Sequence, residues 1–188
     1  MIAKYIAAIA GSLGATCAHD NLRHKIPLDV ACLRLWRTAC TTHHHDRKIM
    51  FIGNGGSAGI ASHLAIDFSK NAGLRAQAFN DAAALTCLGN DLGYENVFAE
   101  QIKSHAKLGD LLIAISSSGR SENILGAVKA ARNRCCNVIT LSGFGSRNRL
   151  RRMGDLNFYV PSHRYGLVEI AHLALCHAAL DIGMGWKA

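Results

Sequence analysis

KIMFIGNGGSAGIASHLAIDFSK, residues 48–70, passes from a continuous apolar run through a glycine-rich turn into a segment with helical periodicity. An apolar run without polar alternation, bounded by glycine, reads as a strand buried on both faces. DLLIAISSSGRSENILGAVKAARNRC, residues 110–135, repeats the pattern with a serine-rich turn. Strand, small-residue turn and helix start together make an anion cradle, because first-turn N–H groups and the positive end of the helix dipole face the ligand. The candidate binding residues are Asn54, Gly55, Gly56 and Ser57 in the first turn and Ser116, Ser117, Ser118 and Ser121 in the second. Helix capping alone accounts for one such turn. Two in one chain point to a bound phosphate.

Working outward, we read further strands over 76–80, 137–142 and 156–160, a helical turn over 81–87, and helices over 97–107 and 166–182. Apolar strands alternating with helices predict an α/β fold, a parallel sheet with helices on both faces and right-handed crossovers. Residues 1–47 read as an N-terminal helical extension, with helices over 2–13 and 28–42, and residues 48–188 as the α/β core of the same single domain. The apolar face of the extension is expected to pair with another copy of the chain. Both prolines, Pro27 and Pro161, fall at element boundaries.

Seven cysteines, an odd number without a CxxC spacing, argue for reduced thiols and a cytoplasmic setting rather than a disulfide framework. The apolar start is read as a first helix rather than a secretory leader, and no membrane span is expected. The net charge of +8 admits nucleic acid, an anionic surface or a phosphorylated substrate. The basic run RNRLRR, 147–152, has no interleaved aromatics, which disfavours nucleic acid. His43, His44 and His45 are read as a surface loop.

His63 and Asp67, four residues apart, share one helix face, and Glu169 and His177 project broadly to one side of the closing helix. So many ionisable groups on apolar helices are costly without a purpose. Two compatible purposes fit: acid–base catalysis, or a divalent metal site of two nitrogens and two carboxylates. His172, three residues after Glu169 but five before His177, cannot share a direction with both and reads as a satisfied buried histidine. Asp91, in the turn Gly89–Tyr94, faces the ligand if that turn lies at a strand end.

The GNGGS unit, the GND turn, the AISSSGRS loop, the NVITLSG strand and the closing ExxHxxxxH helix resemble the sugar isomerase (SIS) domain, within it the sedoheptulose 7-phosphate isomerase branch. The likeness covers about residues 49–182. It implies a flavodoxin-like sheet of five parallel strands, a phosphosugar held by the serine loops, ketose–aldose isomerisation through an enediol, and tetramers with sites shared between subunits. It also implies Asp67 where the family has its glutamate base, His177 as the catalytic histidine, and Glu169 where the family has glutamine. Zinc would then be held by His63, Asp67, Glu169 and His177, phosphate by Ser57, Ser116, Ser118 and Ser121, with Ser117 where threonine is usual, and Asp91 would contact substrate. The shorter Asp67 and the charged Glu169 depart from that pattern. A non-catalytic module that binds a phosphosugar or a protein partner is the alternative reading.

Overall fold

The computed structural model describes residues 1–187. Its helices are α1 (Ile2–Gly14), α2 (Leu28–His44), α3 (Gly56–Lys70), α4 (Ala82–Leu92), α5 (Val97–His105), α6 (Glu122–Asn133) and α7 (Tyr165–Gly183). Its strands are β1 (Cys17–Asp20), β2 (Lys25–Ile26), β3 (Ile49–Gly53), β4 (Ala76–Ala78), β5 (Leu111–Ser116), β6 (Asn137–Ser142) and β7 (Leu156–Tyr159). The sheet order is β2-β1-β7-β6-β5-β3-β4. Strands β4, β3, β5, β6 and β7 are mutually parallel, so the expected five-stranded parallel sheet is present in flavodoxin-like order.

Strand alternation divides the core. Ile49 and Phe51 of β3, with Leu111, Ile113 and Ile115 of β5, face the layer of α2, α3 and α7. Met50 and Ile52, with Leu112 and Ala114, face α5 and α6. Phe51 meets Phe68 of α3 edge-on, ring centroids 5.4 Å apart. Both faces are therefore covered, which is why these strands carry no polar alternation.

Three sequence expectations are corrected. The extension is not helical throughout: β1 and β2 form a hairpin, and β1 pairs antiparallel with β7, Cys17 opposite Tyr159. Four-residue and two-residue strands leave too short a periodic signal to separate from loop. Residues 89–92 are not a turn, because α4 runs on to Leu92 and ends at Gly93 with φ of 85°. His43 and His44 close α2, and His45 caps it rather than lying in a loop. Helix α7 is long and apolar enough to cross a membrane by composition. It instead packs against α1, α2 and α3 and carries Glu169, His172 and His177.

Candidate active site

The order of the parallel strands reverses between β3 and β5, and both serine-bearing turns sit at that switch point, past the carboxyl ends of these strands. Gly53 lets the chain fold back on itself: a Cβ there would stand 2.4 Å from the Ser57 carbonyl oxygen. At Gly119, φ is 60° and a Cβ would collide with the Asn148 amide, so only glycine turns the second loop. The capping account fails at both helix starts. Gly55 caps α3 without a side chain, and Ser121, the N-cap residue of α6, makes no side-chain cap bond.

Ser57, Ser116, Ser117, Ser118 and Ser121 instead converge, with Asn54, Tyr165 and Glu169, on one cavity of about 120 Å³. The Ser117 hydroxyl is buried with no partner. Ser116 Oγ accepts from the Gly119 N–H at 3.2 Å and lies 3.4 Å from Ser121 Oγ. Ser118 Oγ accepts from the Arg120 N–H at 3.3 Å. Gly55 and Gly56 open α3, whose Ser57 lines the same cavity, though neither glycine lines it. A Cβ on Gly56 would stand 2.5 Å from a Glu169 carboxylate oxygen, so this acid rests against the start of α3.

Asn54 is less free than the sequence suggests. Its amide forms a reciprocal pair with Asn123, both bonds 2.9 Å, and its oxygen also accepts from the Tyr94 hydroxyl at 3.0 Å. Asn123 Oδ1 further accepts from the Ile124 N–H. The pair ties the first turn to the start of α6. Asn123, Tyr94 and Tyr165 were absent from the sequence candidates. A polar residue in a helix's first turn looks like ordinary capping, and the two tyrosines lie far from the loops in sequence.

Helices α3 and α7 run side by side in the same direction, Glu169 beside Gly56 and His177 beside His63. His63 Nε2 lies 3.2 Å from His177 Nε2 and 3.2 Å from Asp67 Oδ2, and His177 Nδ1 lies 3.7 Å from Asp67 Oδ2. Asn71 donates to the other Asp67 oxygen at 3.3 Å. One ligand atom from each of His63, Asp67 and His177 falls within 4.8 Å of the other two. A tetrahedral ion with N and O ligands at about 2.0–2.1 Å spaces them about 3.3 Å apart, so this donor set suits a metal ion.

Glu169 stands outside that trio, with the serine cavity, because eight residues of helix separate it from His177, about 12 Å along the axis. Similar arithmetic puts His63 about 9 Å along α3 from Ser57. Asp91, on the last turn of α4, is exposed, bonds Asn90 and lines neither group within one chain. His172 is fully buried and its Nε2–H donates to the Ser142 carbonyl at 3.1 Å. Burial lowers its pKa to about 4, against a smaller raising by that hydrogen bond. Half of the arginines in the basic run 147–152 are engaged internally: Arg149 pairs with Glu122, and Arg151 stacks on Tyr159 and bonds the Ser146 carbonyl.

Fold and site together define a doubly wound α/β protein with a hydroxyl-lined cavity at its switch point and a carboxylate set beside two imidazoles nearby. The chain belongs to the SIS domain family, which it matches over residues 33–143. It is 38% identical over 136 residues to the phosphoheptose isomerase of Rhodospirillum rubrum, covering 69% of this chain and 72% of that one. The structure of phosphoheptose isomerase GmhA from Neisseria gonorrhoeae superposes with a TM-score of 0.82 at 32% identity, covering 96% and 94% of the two chains. That of a phosphoheptose isomerase from Francisella tularensis gives 0.82 at 28% identity, covering 98% and 95%.

Proposed function

We propose that the chain is a phosphosugar ketose–aldose isomerase that converts sedoheptulose 7-phosphate to glycero-manno-heptose 7-phosphate. One observation carries the assignment: the hydroxyl-lined cavity and the His63–Asp67–His177 trio lie along the same helix pair, about 9–12 Å apart. From phosphorus to the first carbon, an extended seven-carbon sugar phosphate crosses eight bonds, about 9–10 Å at the span per bond of an extended chain. The phosphate occupies the second loop, held by Ser116, Ser117, Ser118 and Ser121 with Ser57 opposite. Glu169, whose charge would repel it at the start of α3, takes sugar hydroxyls instead.

The reacting carbons then reach the trio. Asp67 removes a proton from C1 of the ketose, and the electron pair forms the C1–C2 double bond of an enediol as the C2 oxygen gains a proton from His177. Return of a proton to C2, with loss of the one on the C1 oxygen, completes the aldehyde without net oxidation. His63 holds the short Asp67 carboxylate in place from one turn away. His63, Asp67 and His177 would hold zinc, which when bound supplies Lewis-acid polarisation of the carbonyl. We place residues 1–188 in one domain and the protein in the cytoplasm, as its free thiols suit.

The enzyme acts as a homo-oligomer, a tetramer as in the family it resembles. Exposed Ile2, Tyr5 and Ile6 on α1 support a contact between copies, which would also give Asp91 its route to substrate. The test is turnover across a chain-length series: sedoheptulose 7-phosphate, a five-carbon ketose phosphate and unphosphorylated sedoheptulose. The heptose phosphate should isomerise with the highest kcat/KM and the unphosphorylated sugar scarcely at all. Tight binding of the phosphate without turnover would favour the non-catalytic module, for which Asp67 in place of a longer carboxylate is the motivating departure.

A further inference from the structure

At the opposite end of the sheet, beneath the amino ends of β3, β5 and β6, lies a groove of about 930 Å³. Its volume falls in the range of about 300–1,000 Å³ usual for small-molecule sites. One wall is the outer face of α2, with Val30, Arg34, Arg37 and Thr42. The other comes from the segments leading into the strands, with Arg47 and Leu108.

Three arginines converge here without a counter-charge. Among the described residues, Arg75, Arg132 and Arg149 are paired with Asp46, Asp155 and Glu122, whereas Arg34, Arg37 and Arg47 enter no ion pair. Helix capping does not consume them either. The Thr41 carbonyl accepts from the His45 N–H and Nδ1, and the Thr42 carbonyl accepts from the Arg47 backbone N–H, leaving the guanidinium groups free. Arg47's aliphatic stem lies against Gly109, where an added Cβ would meet Arg47 Cγ at 3.6 Å.

An independent observation sits in the α2 wall. Thr42 is 3% exposed, and its hydroxyl is buried with no hydrogen-bond partner. An orphaned hydroxyl costs about 1–3 kcal/mol unless something accepts or donates to it. Val30 and Leu108, both exposed, give the groove an apolar rim. No Phe, Tyr or Trp side chain lines it, and the one ring present, His45, holds the Thr41 carbonyl through Nδ1.

We propose that this groove is a second ligand site, separate from the serine cavity, for a phosphorylated small molecule with an apolar body. Arg34, Arg37 and Arg47 bind the phosphate oxygens through their planar donor forks. Thr42 hydrogen-bonds the ligand, and Val30 and Leu108 cover the body. The site is indifferent to the isomerase assignment, since none of its residues belongs to the serine cavity or the trio.

The probe is pyrophosphate, titrated calorimetrically into the full chain at physiological salt. The wild type should bind it at two sites, and Ser118→Ala/Ser121→Ala should keep the groove event while weakening the other. Arg34→Gln/Arg37→Gln should weaken the groove event tenfold or more, Thr42→Val should weaken it measurably, and the control Arg147→Gln/Arg152→Gln should leave it intact. Equal binding by Arg34→Gln/Arg37→Gln and wild type overturns the proposal. So does equal weakening by the control pair, which would mark a diffuse charge effect. A change in sedimentation of Arg34→Gln/Arg37→Gln without loss of pyrophosphate also overturns it, by assigning the face to a contact between copies.

Discussion

His172 shows at the residue scale how a group outside the chemistry still shapes the protein. Its imidazole is buried under the end of β6 with pKa about 4, while the unfolded chain titrates near 6.5. Between those values the unfolded state binds the extra proton, so stability is intact above pH 6.5 and falls as pH drops toward 4, by roughly 3 kcal/mol in full. His172→Gln, able to donate the same bond but unable to titrate, should flatten that part of a urea-denaturation series against pH; an unchanged slope would show that another group is responsible. Asn123→Ala leaves the Asn54 amide short of its partner, with an expected loss of about 1–3 kcal/mol by urea melt. Its KM for the heptose phosphate should also rise, because Asn123 fixes the first turn against the second. Position 67 was legible from its four-residue spacing to His63. The Asn54–Asn123 pair was not, since nothing local distinguishes a cross-linking amide from a cap.

Elements show why the loops could be read and the hairpin could not. Strands β3 and β5 are entirely buried, and each runs into a turn whose glycines and serines have few other uses. Their sequences therefore state both the strand and its end. Gly53→Ala tests that reading: its Cβ would meet the Ser57 carbonyl at 2.4 Å, so the turn must open. Phosphosugar affinity should fall at least tenfold, and an alanine variant that binds normally would show that the turn tolerates a side chain. Strand β2 has two residues and depends on β1, which in turn depends on β7, 140 residues away at the Ala18–Phe158 pair. Non-local pairing of that kind leaves no periodic trace. Glu169 is intermediate: its helix and its spacing from His177 were legible, but its place against the start of α3, with the serine cavity, follows only once α3 and α7 are set side by side.

For the whole molecule, the sheet order brings two turns distant in sequence to one switch point, and the parallel α3–α7 pair carries the site onward to the trio. Helix α1 presents Ile2 and Ile6 at 70% and 59% exposure, the observation on which the proposed contact between copies rests. Ile6→Glu should lower the sedimentation coefficient, with activity falling in parallel if neighbouring copies complete the site; an unchanged coefficient would remove α1 from the interface. The overall topology was readable because buried parallel strands and crossover helices have distinct periods. The proposed contact between copies was readable only as an apolar face.

The most direct measurement is deuterium uptake from heavy water into sedoheptulose 7-phosphate, followed by NMR on the wild type, Asp67→Asn and His177→Ala. Deuterium should enter at the carbon next to the carbonyl in the wild type, about a hundredfold or more slowly in both variants, with phosphate-site affinity retained. Uptake at the wild-type rate in Asp67→Asn, or none in a wild-type protein that binds the sugar, would contradict the assignment of the carboxylate and imidazole to proton transfer.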